Sequence, residues 1–398
     1  MSVSSLGRSP RALDKLARMN DALRHREPDR VPISDFFWGG FIRRWRKELH
    51  LPDDADPYEY YDLDWVVTIP NMDPHIRPFE ILQDDEREVV VKTGFETVLR
   101  KRFDFPMPEQ LSWDIDTLDK LEDFEFDDPY DSRRFFWGGD NQIAGVGDGF
   151  TRDLPPWIET VRKLRENFVV YGSMIEAAEC VTRLLGQLKT LQWIGEEPDR
   201  FGEQLLRIND FYFHCLKAAI EAAPGLLDGI VIWGDVAYRK ALFFAPDYWR
   251  EYFRPTVRRM INLCHQYGLP VIYHGCGNVQ AILPDFIEIG LDAYNPLEAK
   301  AGLDAVELRR RYGHNLAFCG NSDITVWEEG NREKIRREVL RKLNAGKGGG
   351  LIFQSDHSVT SAVSGPTYDY IVKLVRQYGT YPLELGEFDE DVDGGAGA

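Results

Sequence analysis

The sequence predicts an α/β protein built as a single (β/α)8 barrel, with an N-terminal helical extension and an antiparallel hairpin insertion. Three observations lead there. From about residue 154, apolar strands alternate with helices at intervals of about 25–45 residues, the rhythm of a parallel sheet with right-handed crossovers. The run GlyIleValIleTrpGlyAsp at 229–235 is continuously apolar, as expected of a strand buried on both faces. No GxGxxG or GxxxxGK[ST] turn occurs, which sets aside the doubly wound open sheet.

The elements follow in order. Residues 9–26 form a basic amphipathic helix with Leu13, Leu16, Ala17, Met19 and Leu23 on one stripe, ended by Pro28. ValProIle at 31–33 opens a first strand running to Phe37, and a short helix covers 40–50. Val89–Val91 and Thr97–Val98 flank LysThrGly at 92–94, which predicts a hairpin insertion over 79–105. The acidic stretch 112–142 reads as surface. Thereafter strands are expected at 168–172, 229–235, 270–274, 292–296, 316–321 and 350–357. Helices are expected at 154–166, 174–194, 197–223, 246–268, 278–289, 304–312, 331–345 and 366–378. The single domain therefore spans 1–380, and 381–398 reads as an acidic, Gly-rich, disordered tail.

Charge and composition exclude several classes of function. The net charge of −18 argues against nucleic-acid and anionic-membrane partners. No apolar run reaches ~18 residues, so no membrane span is expected. The opening MSVSSLGRSPRALDKL lacks the apolar segment of a secretory signal. Five cysteines without regular spacing are not a disulfide framework, and a reducing cytoplasm is the expected location. The partners expected are a small-molecule substrate and, with its stoichiometry left open, a second copy in a homodimer.

Every late strand ends in a polar cluster, and in a barrel these ends converge on one mouth. The clusters hold Asp235; His274, Cys276 and Asn278; Asn295 and Glu298; Cys319, Asn321 and Asp323; and Asp356 and His357. His274 and Cys276 stand two apart on a strand end, so they share a face and can offer an imidazole and a thiolate to one ion. A catalytic zinc needs a third protein ligand, for which His357, or alternatively Cys319, is placed on a neighbouring strand; Glu298 and Asp235 are further options. Asp235, Glu298 and His357 are the candidate catalytic groups. Trp38, Tyr171, Asn321 and Asp356 are the candidate substrate contacts, with Trp38-Gly39-Gly40 placed to pack a flat ligand. Without a metal, Cys276 is a small packing residue before a glycine turn and the chain is a ligand-binding barrel.

Five stretches carry a family resemblance: "ALRHREPDRVPI" (22–33), "GDVAYRKALFFAPDYWREYFRP" (234–255), "HGCGNVQAILPDFIEIGLDAYNP" (274–296), "LAFCGNSDI" (316–324) and "GGGLIFQSDHSV" (348–359). In this order they resemble the uroporphyrinogen decarboxylase superfamily, which implies a (β/α)8 barrel. The superfamily implies two activities: cofactor-free decarboxylation of uroporphyrinogen, and zinc-dependent methyl transfer with a corrinoid protein. Its decarboxylases carry "MRQAGR" after the first strand. Here that place reads "FFWGGFIRRWR", with Arg43, Arg44 and Arg46 but not the motif. The chain is closer to the methyltransferases at His274-x-Cys276-Gly-Asn278, which is similar to their zinc motif. Their third ligand is a cysteine just after the last strand, where this chain has His357. The resemblance therefore implies a methyltransferase that moves a methyl group between a small substrate or a thiol and a corrinoid, in a direction the sequence leaves open, and of the O-demethylase type if its donor is a methoxylated aromatic. Zinc would activate the heteroatom, and the corrinoid would come on a separate protein, because AspXHisXXGly is absent from this sequence. A metal-independent decarboxylase of a carboxylated aromatic or tetrapyrrole-like substrate is the alternative.

Overall fold

The computed structural model describes residues 7–388 except 79, 106, 144–149 and 152. Among the described residues, seven parallel strands form one curled sheet. They are β1 (Trp65–Val67), β6 (Val169–Ile175), β7 (Gly229–Trp233), β8 (Val271–His274), β9 (Ala293–Asn295), β10 (Ala317–Cys319) and β11 (Leu351–Ile352), in that spatial order. A separate antiparallel sheet contains β2 (Glu80–Asp84), β3 (Glu88–Lys92), β4 (Thr97–Arg102) and β5 (Glu109–Trp113). Helices between the parallel strands cover the outside, so both faces of the curled sheet are buried.

The expected closed eight-stranded ladder is not what forms. Residues 31–37 occupy the gap between β1 and β11, but they pair only through isolated parallel bridges, Ile33 with Phe353 and Phe37 with Val359. The local chemistry explains this. Pro32 has no N–H to give, and the Ile33 N–H donates to the Asp64 carboxylate at 2.7 Å instead of to a strand. The architecture is therefore a half-barrel sheet of the (β/α)8 type, with a bridged rather than laddered seam. The short β1, which the sequence reading passed over, supplies the missing neighbour.

Strand alternation sorts the interior into layers. One buried layer holds Trp65, Val169, Tyr171, Val231, Ile272, Ala293, Ala317 and Ile352, and Met19 and Leu23 of the first helix, Pro10–Leu23, seal its lower end. That helix starts where expected because Ser9 caps it, accepting from the Ala12 N–H, and because Pro10 needs no donor there. Two residues further along the strands lie Trp233, His274, Asn295, Cys319 and Gln354, at the carboxyl ends.

Two predicted helices are divided. The span 174–194 breaks at Gly186, whose φ of +78° no helix accommodates. The span 246–268 breaks between Tyr252 and Arg254, where Pro255 would remove a helical N–H from a continuous rod. The insertion is larger than the predicted hairpin, with four strands reaching Trp113. It docks on the helix Ala177–Leu185, where Thr97 Oγ1 donates to the Arg183 carbonyl at 2.6 Å and Gln110 Nε2 to the Thr182 carbonyl at 3.0 Å. The acidic stretch 112–142 is not all surface. Leu118 and Leu121 are in the core, and buried Asp140 pairs with Arg183. Beyond residue 380, Leu383 and Leu385 are buried against the body, and residues 389–398 of the acidic tail lie outside the described residues. Among the described residues no helix is long and apolar enough to cross a membrane.

Candidate active site

β8 ends at His274, and the chain then turns through Gly275-Cys276-Gly277, with Gly277 at a φ of +83°. A Cβ at Gly277 would lie 2.7 Å from backbone atoms of Ala237 and Tyr238, so only glycine lets the turn approach the loop after β7 this closely. The turn is pinned on both sides. The Cys276 N–H donates to Asp235 Oδ1 at 2.8 Å, and the Gly277 N–H donates to Glu298 Oε2 at 2.6 Å. Three strand ends thereby converge on one sulfur.

Potential metal ligands gather there in two triads that share Cys276. The ligand atoms of Asp235, His274 and Cys276 all lie within 4.8 Å of one another, and so do those of Cys276, Glu298 and His357. His274 Nε2 is 3.6 Å from Cys276 Sγ. The structure thus brings His357 to Cys276, from the far end of the chain, and groups it with Glu298 rather than with His274. Cys319 stands apart. It is fully buried in the interior, where its thiol donates to Gln354 Oε1 at 3.3 Å.

The other candidates separate by role. Trp38 reaches the rim, its ring edge-on to His357 with centroids 6.2 Å apart. Asp356 and His357 diverge, as neighbours on extended chain must. His357 joins the cluster, while Asp356 is fully buried and accepts from the N–H groups of Ala299 and Ile324, at 3.0 and 2.9 Å. Tyr171 is packed inside the barrel against Trp65, centroids 5.3 Å apart. Asn321 is buried in a brace: its Nδ2 donates to the carbonyls of Leu297 and Leu303, and its Oδ1 accepts from the Ala305 N–H and from Lys342.

Several residues with no sequence signal also shape the site. Glu179, one acid among many on a helix, accepts from the Asp235 N–H at 3.3 Å. Lys300 lies 3.3 Å from Glu298. Phe36 and Trp233 lie against the His274 ring, at 6.3 and 4.7 Å between centroids. Alternation from Val231 could have placed Trp233 inside; nothing in the sequence marks Glu179.

The electrostatics follow from burying like charges together. Burial, then the neighbouring Glu179, then Glu298 push Asp235 up to about 7. Burial raises the Cys276 thiol well above its ordinary value, helped by the charges of Asp235, Glu298 and Glu179. Burial holds both imidazoles below theirs, and Lys300 adds to the effect at His357. The cluster is thus neutral nitrogens and a thiol amid carboxyl groups, with Lys300 beside Glu298, and a divalent cation would favour the ionised forms. Two of the arginines that follow residues 31–37 are engaged elsewhere. Arg44 is bound to Glu48 and to the Ser361 and Ala362 carbonyls, and Arg46 to the Ala55 carbonyl.

Comparison with known proteins adds three findings. The family model for uroporphyrinogen decarboxylase (URO-D) matches residues 145–378. The uroporphyrinogen decarboxylases of two Thermus thermophilus strains are 28% identical over 246 residues, 56% of this chain, and the match spans 64% of their own length. A methyltransferase from Methanosarcina mazei superimposes with a TM-score of 0.59 at 16% identity, over 91% of this chain and 98% of that one, which shows a common fold.

Proposed function

The chain belongs to the uroporphyrinogen decarboxylase family of enzymes, and from that premise we propose that it is a zinc-dependent methyltransferase of the O-demethylase type. It moves a methyl group between a small methoxylated aromatic substrate and a corrinoid carried on a separate protein. The observation that carries this reading is the pair of triads that share Cys276, His274 and Asp235 on one side and Glu298 and His357 on the other, each with its ligand atoms within 4.8 Å of one another. His274, Cys276 and Asp235 would hold zinc. Bound there, zinc supplies Lewis acidity to the ether oxygen and makes it a better leaving group.

The protein's own groups do the rest. Phe36, Trp233 and Trp38 give a flat substrate an aromatic floor and rim. Glu298 and His357 stand on the other side of Cys276, where either can relay a proton from solvent to the oxygen that loses its methyl. Asp356 fixes the loop that carries Glu298 by holding the Ala299 N–H.

The curated relatives favour decarboxylation as the second reading. A substrate rich in carboxylates calls for a basic pocket, and this cluster is acidic. One assay separates the two. Zinc-loaded protein with cob(I)alamin is expected to convert 2-methoxyphenol to catechol, and chelator-stripped protein is not. Release of CO2 from uroporphyrinogen by the stripped protein, with no demethylation by the loaded one, would overturn the proposal.

A further inference from the structure

Behind His274 runs a chain of hydrogen bonds whose direction is dictated by a group that can only accept. Asn295 Nδ2 lies 3.0 Å from the backbone carbonyl of Cys319. A carbonyl carries no hydrogen, so the amide nitrogen of Asn295 must face it. The amide oxygen is then turned to His274, with Oδ1 2.5 Å from Nδ1. That oxygen carries no hydrogen either, so the proton of this bond belongs to His274 Nδ1. In a neutral imidazole the other nitrogen is then bare. His274 Nε2 presents its lone pair 3.6 Å from Cys276 Sγ, toward the cluster.

Gln354 locks the same arrangement from the last strand. Its Oε1 accepts from Asn295 Nδ2 and from the Cys319 thiol, both at 3.3 Å. Its own amide nitrogen is buried with no partner among the described residues, and leaving such a donor unpaired costs about 1–3 kcal/mol. Turning Gln354 over would set two amide nitrogens against each other, so the unpaired donor is retained. Asn295 is itself 1% exposed and held between β8 and β10, so water does not compete for it.

The geometry points to Asn295, backed by Cys319 and Gln354, as the positioning residue that selects the Nδ1–H tautomer of His274 and so creates a ligand with a free Nε2. The inference deepens the zinc reading, on which its purpose rests, but the tautomer is a property of the metal-free chain. Residues that orient a metal-bound imidazole are typically carboxylates or backbone carbonyls; a side-chain amide does the same here without adding a further negative charge to an acidic site.

The test is a long-range proton–nitrogen correlation spectrum of chelator-stripped protein labelled in histidine, with His274→Gln to assign the signal. Wild type is expected to show His274 protonated on Nδ1 and bare at Nε2. Asn295→Leu is expected to move the proton to Nε2 and to weaken zinc binding, by competitive titration, about 10–100-fold. Asn295→Asp, which keeps an acceptor for Nδ1, is expected to return the proton to Nδ1. A wild-type ring protonated on Nε2 would overturn the inference, and so would an Asn295→Leu spectrum unchanged from wild type. If Asn295→Leu does not fold, the wild-type spectrum decides alone. A protein with the Nδ1–H ring that binds no zinc would overturn the methyltransferase reading and leave this one standing.

Discussion

The Cys276 N–H and Asp235 Oδ1 are joined by a 2.8 Å hydrogen bond, so one carboxylate both shapes the turn that carries the thiol and stands among the ligand atoms around it. The two duties can be separated. Asp235→Asn keeps an oxygen for the Cys276 N–H but removes the charge, and it is expected to leave the fold intact while weakening zinc binding at least about tenfold. Asp235→Ala removes both, orphans a buried N–H, and is expected to lower thermal stability as well. Zinc titration and thermal melting of the two variants check this; equal zinc affinity in Asp235→Asn and wild type would place the ion elsewhere.

The buried acids set the pH dependence. Asp235, Asp35 and Asp73 are pushed up to about 7, Asp356 to about 6 and Glu176 to about 8, in each case chiefly by burial. Between about pH 4 and these values the folded chain holds protons that the unfolded chain has released. The resulting stability is fully present below about pH 4 and is lost as pH rises through 6–8. Glu96, lowered to about 2, and Asp304, also lowered, act oppositely: their contribution is present above about pH 4 and is lost only as pH falls into strong acid. Metal-free protein is therefore expected to melt higher at pH 6 than at pH 8.5, and zinc to raise the melting temperature more at pH 8.5, where its ligands are ionised. Calorimetry on both forms checks the sign.

Asn321 offers a contrast with the ligand cluster. Its four partners join the loops after β9 and β10 to Lys342, and it holds a φ of +75°. Asn321→Ala orphans two carbonyls and an N–H, takes one acceptor from Lys342, which keeps Asp304 and Glu338, and places alanine in the left-handed region. A loss of about 3–5 kcal/mol is expected in denaturant unfolding, with zinc affinity unchanged in the folded fraction. A stable variant with altered substrate KM would instead make Asn321 a substrate contact.

The late half of the fold was legible because its strands are apolar runs ending in Asp235, His274, Asn295, Cys319 and Asp356. Each falls at or just beyond a carboxyl end, where enzymes of this fold place their sites. The early half was not, for local reasons. β1 is three residues long, preceded by Asp62 and Asp64, and its partner strand is broken by Pro32. The insertion lost its outer strands because Glu80–Asp84 is exposed throughout and Glu109–Trp113 largely so, which removes the apolar alternation that marks a strand. Within the site, the pairing of His274 with Cys276 was readable from their spacing. The convergence of His357 with Glu298 depended on loops whose course no local pattern specifies. Asn321 looked like a ligand residue because it follows a strand, whereas its left-handed backbone and loop carbonyls make it a brace.

If Cys276 anchors a metal centre, its sulfur is a ligand to the bound ion. The most direct measurement is metal content and cobalt(II) absorption of protein purified without chelator, in wild type and in Cys276→Ser, His274→Ala and His357→Ala. Wild type is expected to carry about one zinc per chain. A sulfur-to-cobalt charge-transfer band is expected that Cys276→Ser abolishes and His274→Ala weakens along with affinity, with a smaller loss in His357→Ala. Wild-type protein without stoichiometric metal, whose cobalt form lacks that band, would contradict a metal centre at Cys276.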